Sequence, residues 1–192
     1  VFFNTFSHKE IEEELNNFIS LILKNKNKKR YLSKNNLHFK RINFLRKKYV
    51  KSLFLIPFRD PLQQSYSLLN QHKIFTNLQS KNDFLRRYMN YFGHNEFGAN
   101  HKSWNVINKY RDFSNINYWL EQWLLFYKNI FSELKHEYNC SFICYENLDQ
   151  RKYIEEISIK AKISYEKSFY FNCKKRSPVK DFDEELYDES FK

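Results

Sequence analysis

The fold is decided by residues 52–71, which read SLFLIPFRDPLQQSYSLLNQ. The apolar run at 53–58 has the length of a buried strand. It stops at Arg59-Asp60-Pro61, where an aspartate can cap a helix and a proline suits the first helical position. The segment therefore predicts a strand that runs directly into a helix, with Arg59 at the carboxyl end of the strand. In open α/β sheets ligands bind at this end, and an arginine beside free helix N–H groups suits a phosphate.

The rest of the chain alternates between helical and strand-like patterns. Besides 53–58, strands are predicted at 31–33 and 141–145. Helices are predicted at 7–23, 37–49, 61–79, 83–92 and 115–138, then after 147–149 and near 181–189. Strands that alternate with helices predict an α/β layered fold with a parallel sheet flanked by helices. No repeat or Gly/Ser linker divides the sequence, so a single domain over 1–192 is expected.

Pro57 is a local misfit in the first strand, because it has no backbone N–H for a neighbouring strand. We therefore expect sheet pairing to end near Leu55 and Ile56.

Composition excludes several classes of protein. No apolar run reaches the roughly 20 residues that a membrane-spanning helix needs, and no signal peptide opens the chain. The three cysteines are an odd count, and the spacing of Cys140 and Cys144 is not that of a zinc site, so free thiols, no metal and a cytoplasmic location are expected. The two glycines exclude a glycine-rich dinucleotide loop and a Walker-type loop.

The formal net charge is +11, and no acidic residue lies between Glu14 and Asp60. This basic segment is either a solvated face or a positive field that attracts a nucleotide, an acidic glycan or a nucleic acid. A basic nucleic-acid-binding module is the alternative function. The chain has no helix-turn-helix, zinc-finger or RNA-recognition motif, which argues against it.

Three segments together resemble the sulfotransferases that use 3′-phosphoadenosine-5′-phosphosulfate. The first is Arg59-Asp60-Pro61 with Ser67 eight residues after the arginine. The second is Tyr145-Glu146-Asn147-Leu148, which is similar to the Tyr-Glu-Asp-Leu of that family. The third is Lys34-Asn35-Asn36, which is similar to a strand end that carries a lysine. Residues 88–98 also look like bacterial members.

The resemblance implies a P-loop-like three-layer fold and transfer of a sulfuryl group to a hydroxyl acceptor, with a carbohydrate as the expected class. In that family the counterparts of Arg59 and Ser67 hold the 3′-phosphate of the donor, and the counterpart of Tyr145 lies near the adenine. The resemblance also implies that Lys174, Lys175 and Arg176 close over the same phosphate, as a basic loop near the C-terminus does in that family. The glycine that usually follows them is replaced by Ser177-Pro178, so a solvated basic turn is an equal alternative.

Each main site residue also has a purely structural interpretation. Arg59 could form an ion pair with Asp60 or with a carboxylate across the cleft. Ser67 could be an ordinary exposed helix serine, and Tyr145 could pack in the core at a strand end.

The loop that would hold the 5′-phosphosulfate is not found before Tyr31, where there is no glycine. We therefore expect an N-terminally incomplete domain, by truncation or by divergence, that catalyses poorly by itself. A kinase-like enzyme is a further alternative and would need a Gly-x-x-x-x-Gly-Lys loop upstream. The general base is unassigned, and the weak catalytic candidates are Lys34, His38, His94 and Glu96.

Overall fold

The computed structural model describes residues 9–104, 109–166, 171–173 and 179–192. It divides into two compact units, Val1–Ser52 and Leu53–Lys192. The chain combines helices with strands and is mostly helical, with a two-stranded parallel sheet. The α/β character predicted from the sequence is confirmed at this level, and a single domain over 1–192 stays a prediction.

The first unit is helical in its described part. It contains α1 (Lys9–Asn25), a 3₁₀ helix (Asn36–Arg41) and α2 (Ile42–Lys48). Tyr49 donates a hydrogen bond from Oη to Asn16 Oδ1 at 2.9 Å, which ties the end of α2 to α1.

The strand predicted at 31–33 is wrong. These residues have no regular secondary structure, and Leu32 is 92% exposed. A strand is stable only when a neighbouring strand pairs with its backbone N–H and C=O groups. The sequence of residues 31–33 does not determine whether such a neighbouring strand is present. The helix predicted at 37–49 starts instead as the 3₁₀ helix and becomes α-helical only at Ile42.

The second unit begins with β1 (Phe54–Phe58), which is followed at once by α3 (Pro61–Lys81). The strand, turn and helix predicted at 53–79 are therefore confirmed. The unit continues with α4 (Asp83–Tyr91), α5 (Ile116–Leu134), β2 (Cys140–Cys144), a 3₁₀ turn (Tyr145–Asn147), α6 (Arg151–Ala161) and α7 (Glu184–Glu189). Strand β1 pairs in parallel with β2, in a register that places Phe54 opposite Cys140 and Phe58 opposite Cys144.

The prediction that pairing ends near Leu55 and Ile56 is wrong, because the register continues to the last residue of β1. Phe54 N donates to Asn139 O at 2.8 Å, and in a parallel ladder alternate residues face the same neighbour. Pro57 therefore directs its backbone away from β2, where its missing N–H is not needed. Its carbonyl accepts a hydrogen bond from Tyr127 Oη at 2.8 Å.

The core of the second unit lies between α3 and α5. Asn115 caps α5 by accepting from Asn117 N at 2.9 Å, and Tyr118 and Trp119 are fully buried one turn later. Trp119 packs with apolar residues of both helices in one cluster. Trp123, also buried, donates from Nε1 to Gln64 Oε1 of α3 at 3.0 Å. Both tryptophans therefore belong to the core, and their packing fixes the helix that follows β1.

Candidate functional site

The two strands deliver Arg59 and Tyr145 to the same end of the sheet. Phe58 lies opposite Cys144 in the parallel register. Arg59 and Tyr145, which follow these two residues, therefore leave the sheet side by side. The Cζ atom of Arg59 lies 4.9 Å from the centroid of the Tyr145 ring. This is a cation–π contact, which leaves the N–H donors of the guanidinium in their plane free for another partner.

The Nε of Arg59 is a buried donor at this end of the sheet. It has no hydrogen-bond partner among the residues that the structure describes. Within the same residues no carboxylate forms an ion pair with it, so the structural interpretation as an Arg59–Asp60 pair is not what is observed. A buried donor without an acceptor is unfavourable, and an anionic ligand would supply the missing acceptor.

The carboxylates of Asp60 and Glu146 lie near Arg59, and both accept hydrogen bonds from neutral donors. Asp60 accepts from Gln63 N at 2.8 Å through Oδ1 and from Tyr187 Oη at 2.9 Å through Oδ2. Glu146 accepts the backbone N–H of Asp60 at 2.9 Å through Oε1 and the thiol of Cys144 at 3.4 Å through Oε2. Burial raises the pKa of the Cys144 thiol, so the thiol keeps the proton it donates.

Helix α3 adds positive partial charge to this region. It is 21 residues long, and its first residue, Pro61, directly follows the cap Asp60. Aligned peptide dipoles place a partial positive charge at such an N-terminus, next to Arg59. The capping role that the sequence predicts for Asp60 is confirmed by its bond to Gln63 N.

Ser67 lies about two turns into α3 and is partly buried. In the described part of the chain no contact links it to Arg59 or Tyr145. Gln63, one turn earlier on the same face, has a buried Oε1 with no hydrogen-bond partner among the described residues. Sequence reasoning did not single out Gln63. It is a second polar group there that a ligand could satisfy.

The C-terminal segment approaches Tyr145. Cys173 Sγ donates to the carbonyl oxygen of Tyr145 at 2.9 Å, and the Phe171 ring meets the Tyr145 ring edge-on at 6.0 Å. The predicted phosphate-closing residues Lys174, Lys175 and Arg176 lie outside the described residues. All three cysteines are free thiols, with Cys140 buried.

The four catalytic candidates lie in two places. In the first unit, Lys34 Nζ donates to Asn36 Oδ1 at 2.8 Å, and His38 Nε2 is 2.9 Å from Ser33 Oγ. Partial burial, with the charge of Arg41, lowers the pKa of His38. In the second unit, His94 Nδ1 lies 3.6 Å from Glu96 Oε1 in the loop after α4. Neither His94 nor Glu96 contacts Arg59 or Tyr145 within the described ranges.

Sequence reasoning missed a partly buried polar cluster around His101. His101 Nε2 lies 2.6 Å from Tyr118 Oη, and Ser103 Oγ lies 2.8 Å from the same oxygen. His72 accepts the N–H of Gly98 at 3.2 Å. Burial, then the neighbouring His72, lowers the pKa of His101 to about 4.

This histidine cluster fastens the loop after α4 to α3 and α5. His72 follows Leu69 by three residues, on the buried face of α3, and that spacing is the signal that could have revealed it. Because the groups of the cluster bind one another, its role is structural.

Within the described ranges, no helix has the combination of length and apolar character that crossing a bilayer requires. No group of three or more His, Cys, Asp or Glu side chains there is arranged to hold a metal ion.

The strand-end site therefore combines a guanidinium stacked on a phenol ring, a helix N-terminus and two carboxylates already bound by neutral donors. Such a set suits a ligand with an anionic group and a flat ring. Comparison of the chain with protein-family models, with curated proteins and with solved structures finds no significant match.

Proposed function

We propose that the protein is a sulfotransferase that moves a sulfuryl group from 3′-phosphoadenosine-5′-phosphosulfate to a hydroxyl acceptor, with a carbohydrate as the acceptor class. The observation that carries the proposal is the buried Nε of Arg59, which lacks an acceptor among the described residues and stands against Tyr145 at the ends of β1 and β2. In this proposal β1 and β2 are two strands of a P-loop-like three-layer fold.

Each residue of the proposed donor site has a distinct task. Arg59 binds the 3′-phosphate through its planar fork of N–H donors, which lysine does not reproduce. Ser67 adds a neutral hydroxyl donor from the second turn of α3, and the ring of Tyr145 lies near the adenine. The net charge of +11 favours the approach of an anionic nucleotide.

The reaction itself is a substitution at sulfur. The acceptor oxygen forms a new S–O bond, the S–O bond to the 5′-phosphate breaks, and the acceptor proton passes to a base. Lys34, His38, His94 and Glu96 remain candidates for that base. Because the chain has two glycines and no glycine-rich loop, the test measures nucleotide binding and not turnover.

The test is calorimetry with adenosine 3′,5′-bisphosphate and with adenosine 5′-monophosphate, which lacks the 3′-phosphate. We expect the bisphosphate to bind more tightly, and Arg59→Ala to remove most of that preference. A hydrogen bond to a charged group contributes about 1.5–3 kcal/mol, which is roughly 10- to 150-fold in affinity.

Two variants serve as controls. Arg59→Lys keeps the charge and loses the fork, so we expect it to recover only part of the preference. Arg86→Ala removes an exposed arginine that pairs with Asp83 on α4, and we expect it to leave both affinities unchanged. Equal affinity of the wild-type protein for the two nucleotides would overturn the assignment.

A further inference from the structure

Within the part of the chain that the structure describes, Arg59 forms no ion pair, although a carboxylate is adjacent to it in sequence. Asp60 could turn toward the guanidinium, since an arginine and a nearby carboxylate attract each other strongly in a partly buried site. Both of its oxygens are instead bound, Oδ1 by Gln63 N and Oδ2 by Tyr187 Oη. The bond to Gln63 is the usual helix cap. The bond to Tyr187 comes from a residue 127 positions away and has no part in the cap.

Tyr187 is suited to hold a carboxylate without neutralising it. Burial, together with its hydrogen bond to Asp60, raises the pKa of Tyr187 to about 12, so the phenol remains a donor at ordinary pH. The ring is fixed by edge contacts with Phe182 at 5.5 Å and Phe191 at 5.0 Å between centroids. Removing the hydroxyl alone would therefore leave the packing of the ring in place.

The helix that carries Tyr187 is itself anchored. Asp183, the cap of α7, accepts from Lys109 Nζ and from Tyr110 Oη, each at 2.6 Å. Lys109 and Tyr110 are fixed in turn, because their backbone N–H groups donate to the buried carboxylate of Glu121 at 3.1 and 2.9 Å. The hydroxyl of Tyr187 is thus held at Asp60 by a continuous set of hydrogen bonds that begins on α5.

We propose that Tyr187 is a positioning residue for anion binding, because its hydroxyl keeps the carboxylate of Asp60 away from Arg59 and so keeps the guanidinium available. Tyr187 acts through Asp60 and does not contact the ligand. This inference rests on the proposed function for the identity of the anion, a nucleotide 3′-phosphate. The competition between Asp60 and the ligand for Arg59 does not depend on that identity.

The first experiment is a double-mutant cycle on adenosine 3′,5′-bisphosphate binding with Tyr187→Phe and Asp60→Asn. In Tyr187→Phe the freed Oδ2 turns to Arg59, and we expect affinity to fall about 3- to 10-fold, the size of one net hydrogen bond. Asparagine still caps α3 but carries no charge, so Tyr187→Phe should have no effect in the Asp60→Asn background. An equal loss in both backgrounds would show that Tyr187 acts only through general structure and would overturn the proposal.

Tyr91→Phe is the matched control, because it removes the same hydroxyl from a tyrosine that is 84% exposed on α4. It should leave bisphosphate affinity unchanged.

The second experiment needs no ligand and reads the Nε–H resonance of Arg59 by NMR, assigned by its loss in Arg59→Lys. We expect the resonance to move in Tyr187→Phe, as an ion pair with Asp60 forms, and to remain in place when Asp60→Asn is added. An unchanged resonance in Tyr187→Phe would overturn the inference whatever the nucleotide does.

The two experiments separate the two proposals. A wild-type protein that does not prefer the 3′-phosphate, together with a resonance that responds to Tyr187→Phe, would refute the nucleotide assignment and support the role of Tyr187.

Discussion

The second unit contains two clusters of polar side chains that solve the problem of burial in opposite ways. Around His101 both ring nitrogens have protein partners, Tyr118 Oη at 2.6 Å and Asn95 O at 3.2 Å. At Arg59 the buried Nε has no acceptor among the described residues, although two carboxylates are near. The protein supplies the partners of the first cluster, whereas the second leaves a buried donor unpaired within the described ranges.

This difference bears on how a binding site can be recognised without a bound molecule. Of the buried side-chain atoms that lack a partner within the described ranges, only that of Arg59 belongs to a charged group. Leaving a buried donor of a charged group unpaired costs more than leaving an amide unpaired, so such an atom points to a functional role. The histidine cluster should therefore determine stability, and the arginine site should determine binding.

The largest expected effect is on the histidine cluster. His101→Ala removes two hydrogen bonds and the ring that packs against Trp119 at 4.9 Å. We expect the free energy of unfolding to fall by about 2–4 kcal/mol, as for other buried deletions. Urea denaturation followed by tryptophan fluorescence measures it. Nucleotide affinity, measured well below the urea midpoint, should not change, and a parallel loss of affinity would contradict the separation of the two clusters.

The second prediction concerns the loop that this cluster holds, with its two glycines as a matched pair. Both have positive φ, +88° at Gly98 and +70° at Gly93. A Cβ at Gly98 would overlap the side-chain amide of Gln79, whereas a Cβ at Gly93 would meet nothing within 4 Å. Gly93→Ala should therefore cost about 1 kcal/mol of backbone strain, and Gly98→Ala about 1–3 kcal/mol more. Equal losses in the two variants would show that the loop is not packed on α3.

How far the sequence predicts the fold depends on whether the signal is local. The strand, cap and helix at 53–81 follow from an apolar run, Asp60 and Pro61, and all three are confirmed. The prediction of a strand at 31–33 is wrong. A strand forms only where another segment pairs with it, and these three residues do not determine whether such a segment is present. The prediction that sheet pairing ends before Pro57 is wrong for a related reason. A missing N–H weakens the pairing only if the backbone of that residue faces the paired strand.

The site divides along the same line. The meeting of Arg59 and Tyr145 follows from two strand ends and a parallel register, and so it could be expected from local patterns. The hydrogen bond from Tyr187 to Asp60 joins residues 127 positions apart, and no periodicity in either segment predicts it. The histidine cluster was missed because polar side chains on a buried face do not stand out in an apolar pattern.

A third prediction sharpens the comparison through pH. The folded-state pKa of His101 is lowered to about 4, below the ordinary value of 6.5, and that of His72 is lowered as well. Between these pKa values the unfolded chain binds more protons than the folded chain does. The free energy of unfolding is therefore highest above about pH 6.5 and decreases as pH falls toward 4. We expect urea midpoints to decrease over this window, and the decrease to be smaller in His101→Gln. A midpoint that stays constant between pH 7 and pH 4.5 would contradict the burial of a neutral imidazole.

The smallest expected effect on stability is at the arginine site, and its sign is the reverse of that at His101. Arg59→Met removes a partly buried guanidinium whose Nε has no acceptor among the described residues, and a hydrophobic side chain of similar length fills the space. The lost stacking on Tyr145 offsets part of the gain, so we expect the free energy of unfolding to rise by at most about 1 kcal/mol. Urea denaturation without nucleotide measures this change.

With adenosine 3′,5′-bisphosphate added, the order of stability of the two proteins should invert, because only the wild-type protein gains the ligand's stabilisation. A large destabilisation by Arg59→Met without ligand would mean that the protein itself satisfies the guanidinium, and the site would then be as complete as the histidine cluster.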